Sequence, residues 1–279
     1  MTRLLRYRRD GLTFDVLDEG PLDGDPVVLL HGFPERSSCW REVTPLLHEQ
    51  GLRTYAPDQR GYSPGARPPS RRDYTMDKLE ADVVGLIETI GRPVHLVGHD
   101  WGANSGWLTA THHADLVRTW TAVSVPHPTA FRSAMFSTRQ GFASWYMGAF
   151  QAPWLPERTA ARAGGRFDHM LRRSGMTRDE VERFRSEIVD YGALTGGLNW
   201  YRAMPFTPRH GLGGRTSVPT TFLWSDRDSF VKRVSVDRCA QYVTGPYELR
   251  VLAGVDHWIP THAPEAVADA VLSRIRSVT

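Results

Sequence analysis

Gly98-His99-Asp100-Trp101-Gly102 is the stretch on which the fold turns. It follows Val94–Gly98, an apolar run that reads as a strand, and opens Gly102–His112, which reads as a helix. Small residues around an acidic one, where a strand turns sharply into a helix, lift one side chain clear of the sheet, here Asp100. The plain alternative is an ordinary turn in which Asp100 caps the helix.

Working outward, strands alternate with helices. Leu4–Tyr7 and Leu12–Glu19 flank a turn at Asp10-Gly11. Val27–His31 reads as a strand buried on both faces, and Trp40, Val43, Leu46 and Leu47 then recur at helical spacing. Arg53–Pro57 is the next strand. Thr75 stands where it can cap a helix whose apolar face is Leu79, Val83, Leu86, Ile87 and Ile90. Thr119–Val125 is a strand. Such alternation predicts an α/β fold, a mostly parallel twisted sheet with helices on both faces. From about Thr129 to Gly213 no strand is legible; aromatics (Phe131, Phe136, Phe142, Trp145, Tyr146, Phe150, Trp154) and helices such as Arg178–Tyr191 take over. The alternation resumes with Thr220–Trp224, a helix near Arg233–Val243, a strand Glu248–Leu252 and a helix from Pro264. Residues 1–128 and 214–279 are therefore expected to form one core, with 129–213 inserted as a helical lid at the carboxyl ends of the strands, where such sheets bind ligands.

The composition excludes several classes. With 279 residues, 41% of them hydrophobic, the chain has the apolar area for a core and is not disordered as its main state. No run approaches ~20 apolar residues, so no membrane span is expected. The net charge is only +3, Lys78 and Lys232 are the sole lysines, and the arginines are scattered among acids. Small clusters such as Arg6, Arg8 and Arg9, or Arg71 and Arg72, read as solvated surface, so nucleic acid is not expected as a partner. Cys39 and Cys239 are too few for a disulfide framework or a metal site. The opening residues lack the apolar core of a signal peptide, and the expected location is the cytoplasm.

An aspartate in a nucleophile's position says what it attacks. Serine attacking an sp3 carbon would leave an ether that water does not easily cleave; a carboxylate leaves an ester that water cleaves at the carbonyl. Asp100 therefore points to epoxides or alkyl halides. The attacking water needs a base, and His257 follows the last strand, where chain order puts a triad histidine. An orienting acid is expected just past Thr220–Trp224: Asp228, with Asp226 as the fallback. The other acid position, after Thr119–Val125, carries Ser124-Val125-Pro126-His127 and no carboxylate. His31-Gly32-Phe33-Pro34 follows a strand too, so the backbone N–H of Phe33, with that of Trp101, can meet the oxyanion formed when the Asp100 ester is hydrolysed.

Together these features resemble the α/β-hydrolase fold over essentially the whole chain. Within it, His31-Gly-Phe-Pro, Gly98-His-Asp-Trp-Gly, Asp58-Gln-Arg-Gly-Tyr62 and the late Asp228 and His257 are similar to the soluble epoxide hydrolases. In that family two cap tyrosines donate hydrogen bonds to the epoxide oxygen. Asn199-Trp200-Tyr201-Arg202 closely matches the segment carrying one, and Tyr146-Met-Gly-Ala-Phe150-Gln151-Ala-Pro153 matches the other more loosely. The resemblance thus implies Tyr146 and Tyr201 as acid groups, and a tyrosine hydroxyl is a suitable neutral donor to an opening epoxide. A lipophilic small molecule is the expected partner, with no cofactor or metal and a monomer or homodimer as the form. The main rival is a haloalkane dehalogenase with the same triad. Many of those carry Asn two residues after the first His, where this chain has Phe33, and a halide needs no proton donor. A fluoroacetate-type dehalogenase would show Arg after the nucleophile, where Trp101 stands, and a non-catalytic binding protein would have a degraded triad.

Overall fold

Val27, Val28, Leu29 and Leu30 are all fully buried, and they alternate between the two faces of the sheet. Val28 and Leu30 join one apolar cluster, Val27 and Leu29 another. A strand that is apolar on both sides needs helices on both sides, and the computed structural model, which describes residues 2–135, 140–208 and 213–278, supplies them. The strands are β1 (Arg6–Arg9), β2 (Leu12–Glu19), β3 (Asp25–Leu30), β4 (Leu52–Pro57), β5 (Val94–His99), β6 (Val117–Val123), β7 (Thr220–Ser225) and β8 (Tyr247–Leu252). They form one sheet in the order β1-β2-β4-β3-β5-β6-β7-β8. The β1–β2 and β2–β4 pairs are antiparallel and every later pair is parallel. β5, which ends at the Asp100 turn, is therefore central.

One face is covered by α2 (Met76–Ile90) and α3 (Trp101–His112), whose Val83, Leu86 and Trp107 pack with β3 and β5. The other is covered by α1 (Thr44–His48) and the C-terminal helix α13 (Pro264–Arg276), through Leu47, Val267 and Val271. Between β6 and β7 the described residues hold seven α-helices: α4 (Pro128–Met135), α5 (Gln140–Ala143), α6 (Trp145–Ala149), α7 (Leu155–Ala160), α8 (Arg166–Arg173), α9 (Arg178–Phe184) and α10 (Leu194–Ala203). Short helices α11 (Arg233–Asp237) and α12 (Ile259–His262) follow β7 and β8. A third apolar cluster joins the insertion to the strand ends, with Tyr146, Phe150, Phe167 and Tyr201 packed beside Phe33, Trp101 and Trp258.

Several boundaries differ from the sequence reading. β1 starts at Arg6, not Leu4, because the Leu4 N–H donates to the Asp18 carboxylate at 2.6 Å instead of to a strand. β6 begins at Val117 and stops at Val123, since Ser124 turns to φ 67. Thr75 occupies the N-cap of α2 but its side chain makes no capping bond. The single helix expected over Trp40–Leu47 is a 3-10 turn, Ser37–Trp40, followed by α1. The one expected over Arg178–Tyr191 is α9 followed by a π-helical stretch, Arg185–Asp190. The one near Arg233–Val243 breaks into α11 and a 3-10 turn, Cys239–Tyr242. Phe136, and the side chain of Phe142, lie outside the described residues.

Candidate active site

The turn after β5 is as tight as its glycines predict. Asp100 has φ 51 and ψ −115, a conformation that costs a non-glycine residue of order 1–3 kcal/mol. A Cβ at Gly98 would strike the Gly102 carbonyl, and one at Gly102 would strike the Leu30 carbonyl. Gly32 is needed for a different reason: a Cβ there would meet the Asp100 carboxyl itself. Backbone thus closes on backbone around Asp100, and the strain is held by two central strands.

The Phe33 N–H donates to Asp100 Oδ1 at 2.8 Å. Trp101 opens α3, so its N–H is among those a helix leaves without an internal partner. On the other side, His257 Nε2 lies 3.6 Å from Asp100 Oδ2. His257 Nδ1 is 2.8 Å from Asp228 Oδ2, which makes Nδ1–H the donor and turns Nε2 toward Asp100. Asp228 is itself fixed, its Oδ1 accepting from the N–H groups of Phe230 (2.7 Å) and Val231 (2.9 Å). Asp226, the fallback, is exposed and instead accepts from the Gly254 N–H, closing a surface turn. Burial alone would push the Asp100 pKa up, but His257 and the Phe33 N–H outweigh it and hold the carboxyl below its usual range. Burial likewise opposes a charged His257, and the Asp228 and Asp100 carboxylates override it, raising its pKa to about 10.

Tyr146 and Tyr201 line the same small cavity as Asp100 and His257, and Asp228 joins them through its bond to His257, so the structure brings together the five side chains singled out in the sequence. Burial first, and then the Asp100 charge among others, raises both phenols well above the ordinary range. They are held as neutral hydroxyls. The Trp101 ring packs edge-on against Tyr201 with centroids 4.9 Å apart, and the Tyr146 and Tyr201 rings lie edge-on at 6.0 Å. The two matched segments are stitched together: Gln151 Nε2 donates to the Tyr201 carbonyl at 2.8 Å, and Arg202 Nε to the Phe150 carbonyl at 3.0 Å. A second, larger cavity of about 290 Å³ reaches Asp100 from the side of Trp101, Phe131 and Met147.

The sequence did not reveal the supports of the histidine loop. Ser124 Oγ and His99 Nε2–H both donate to the His257 carbonyl at 2.9 Å, and Ser225 Oγ donates to the Asp256 carbonyl at 2.6 Å. Burial keeps His99 neutral, with a pKa near 4. Ser124 stands at the alternative acid position, where it holds backbone rather than charge. The Gln59 N–H donates to His31 Nε2 at 3.1 Å, and the Trp200 indole donates to the Arg60 carbonyl at 2.8 Å. The Asp58–Tyr62 stretch thereby fixes both the His31 loop and α10. Every one of these bonds ends on a backbone atom or reaches one, so no spacing of residue types announces them.

Residues 27–270 match the family model described as Alpha/beta hydrolase family. The chain is 31% identical to epoxide hydrolase A of Mycobacterium tuberculosis over 94% of each chain. It is 32% identical to epoxide hydrolase 3 of Xenopus tropicalis, over 94% of this chain and 74% of that one. The crystal structure of epoxide hydrolase A from Mycobacterium thermoresistibile superposes with a TM-score of 0.82 at 28% identity, covering 98% of both chains. No helix among the described residues is long and apolar enough to cross a membrane. The chain belongs to the alpha/beta hydrolase family, and within it to the epoxide hydrolases.

Proposed function

We propose that this hydrolase opens a lipophilic epoxide to a vicinal diol through an alkyl ester on Asp100, with residues 129–213 as its lid. Asp100 Oδ2 attacks a ring carbon while Oδ1 stays on the Phe33 N–H. The ring C–O bond breaks, and the freed oxygen takes a proton from Tyr146 or Tyr201. Esterification discharges Asp100 and so removes one of the two charges that keep His257 protonated. The imidazolium gives its proton to the tyrosinate, and the neutral imidazole then deprotonates a water, with Asp228 stabilising the cation that results. The hydroxide attacks the ester carbonyl, and the tetrahedral oxyanion is met by the Phe33 and Trp101 N–H groups. Collapse returns the Asp100 carboxylate and the diol. The departing alkoxide takes the water's second hydrogen from the carboxyl group and His257 keeps the first, so the resting charges are restored and one water is consumed in all.

The observation that carries this reading is the shared cavity, lined by a fixed carboxylate, a histidine and two neutral phenols. Paired phenols have no purpose for a halide, which leaves without a proton, and the Phe33 side chain stacks edge-on against Tyr201 rather than offering a halide donor. A cytoplasmic enzyme, monomeric or homodimeric, completes the proposal; its two free, buried thiols suit a reducing compartment. A panel of terminal and aryl epoxides assayed beside haloalkanes tests it. Diol release from at least one aryl or alkyl epoxide is expected. Halide release faster than any epoxide opening would overturn it.

A further inference from the structure

Large apolar side chains left in water mean something when they cluster. In the insertion Trp145, Trp154 and Leu155 are 66, 74 and 59% exposed. Trp145 and Leu155 stand at the mouth of an outer cavity of about 700 Å³, and Trp154 adjoins Leu155 at the start of α7. Trp154 has φ 59, in the left-handed region that a bulky residue avoids. A strained backbone thus holds in solvent a ring that adds nothing to the core.

The free charge around these side chains has one sign. Residues 145–173 hold five arginines, Arg158, Arg162, Arg166, Arg172 and Arg173, all exposed. None of the five is ion-paired with a carboxylate among the described residues; the two carboxylates of the stretch are taken elsewhere, Glu157 by Arg202 at 2.7 Å and Asp168 by Arg185 at 2.6 Å. Arg158 follows Trp154 by one helical turn, its N–H bonded back to the Trp154 carbonyl at 2.9 Å, so the two share one side of α7. Arg166 and Arg173 line the cavity with Trp145 and Leu155. A second copy of the chain on this face would set arginines against arginines. A bilayer with anionic headgroups satisfies both features: indole and leucine side chains settle at the headgroup boundary, and guanidiniums pair with phosphates.

We propose that this face of the insertion docks on an anionic lipid surface, with Trp145, Trp154 and Leu155 entering the headgroup boundary and the five arginines holding phosphates around them. The cavity mouth then faces the bilayer. Tyr146 and Phe230 line both this cavity and the small one at Asp100, so a lipophilic epoxide dissolved in lipid meets the reactive groups without crossing bulk water; this consequence rests on the epoxide-hydrolase reading, and the docking itself does not.

Co-sedimentation with vesicles of phosphatidylcholine alone, and of equal parts phosphatidylcholine and phosphatidylglycerol, tests the docking. Wild type is expected to bind the anionic vesicles about tenfold more tightly or better, and to lose that preference as salt shortens the screening length below ~10 Å. R158E and R172E are each expected to weaken anionic binding about fivefold or more, and W154G about three- to tenfold. Glycine accepts the left-handed φ at this position, so W154G should keep the wild-type melting temperature. All three variants should hydrolyse styrene oxide in vesicle-free buffer at the wild-type rate. Wild-type protein that stays in the supernatant with both vesicles would overturn the proposal, as would anionic binding unchanged in W154G/R158E/R172E. A dimer in solution that W154G splits would give this face to a second copy and overturn it too. Failed docking with styrene oxide still hydrolysed leaves the epoxide-hydrolase reading standing; docked protein that opens no epoxide sinks that reading and not the docking.

Discussion

At the strand ends the reactive groups are positioned by backbone. Asp100 sits on a turn closed by three glycines, Asp228 accepts two N–H groups, and the His257 carbonyl takes two donors. In the insertion the two phenols are positioned by rings. Tyr201 packs against Phe33, Trp101 and Phe150 with centroids 4.9–5.3 Å apart, and Tyr146 against Phe150 and Phe230 at 5.6 and 5.2 Å. Backbone hydrogen bonds fix direction to within a narrow cone, as a nucleophile and its base require. Aromatic packing fixes place but tolerates change of the substrate's shape, as a proton donor over a variable ligand requires. On the proposed mechanism, charge chemistry belongs to the core, and proton donation and substrate fit to the insertion.

The division can be broken most sharply at Asp100. Asp100→Ala is expected to cut turnover at least ~10⁴-fold while leaving the protein folded, because the side chain faces the cavity and not the core. Activity retained at more than a few per cent, with the melting curve preserved, would contradict it. Next, Asp228→Asn is expected to slow ester hydrolysis by ~10³–10⁴-fold, since His257 loses its charged partner and its tautomer is no longer set. Asp226→Asn, on the surface turn, should leave that step alone. Single-turnover kinetics separate the two, and equal effects would return Asp226 to the site.

On the insertion side, Tyr146→Phe and Tyr201→Phe should slow ester formation by up to ~10²–10⁴-fold and barely touch ester hydrolysis. The double variant should be worse than either, as two donors share one oxygen. Pre-steady-state alkylation at the wild-type rate in the double variant would remove the phenols from the mechanism. The smallest effect expected concerns the join between the two regions. His262 bridges Asp256, the neighbour of His257, and Glu180 of α9, at 2.8 and 2.9 Å. Bonds to these two carboxylates raise its pKa to about 10; burial pushes Glu180 up, but His262 and the Thr177 N–H and hydroxyl outweigh it and lower its pKa to about 2. A raised histidine stabilises fully below its unfolded value near 6.5 and loses this as pH climbs through about 10; the depressed Glu180 contributes above its unfolded value and loses it as pH falls toward about 2. His262→Gln should therefore cost about 1–2 kcal/mol near pH 6, a few degrees in melting temperature, and almost nothing by pH 10. A pH-independent deficit would mean the contact is packing, not charge.

The same division explains what could be read from residue order. The Gly98–Gly102 turn, the β3 run and the late aspartate and histidine are legible because a strained turn needs glycine and a two-faced strand needs unbroken apolar residues. The absence of a carboxylate after β6 puts the acid past β7 but leaves Asp226 as a fallback to Asp228, and the structure shows the difference as one buried and one exposed carboxylate. Ser124, Ser225 and His99 escaped notice because they act on backbone carbonyls, which any residue supplies. In the insertion, helices are short and break at π and 3-10 turns, so periodicity gave too little to place Tyr146; its segment stood out only by resemblance.

The ester itself is the most direct test. In His257→Gln, Asp100 still attacks but no base activates the water, so the covalent intermediate should accumulate. Intact-mass spectrometry after brief exposure to an epoxide substrate should show the protein plus one substrate molecule, with the added mass on the Asp100 peptide and absent from an Asp100→Ala control. A His257→Gln enzyme that turns over slowly yet never carries an adduct on that peptide would mean that water opens the epoxide directly and that Asp100 is not the nucleophile.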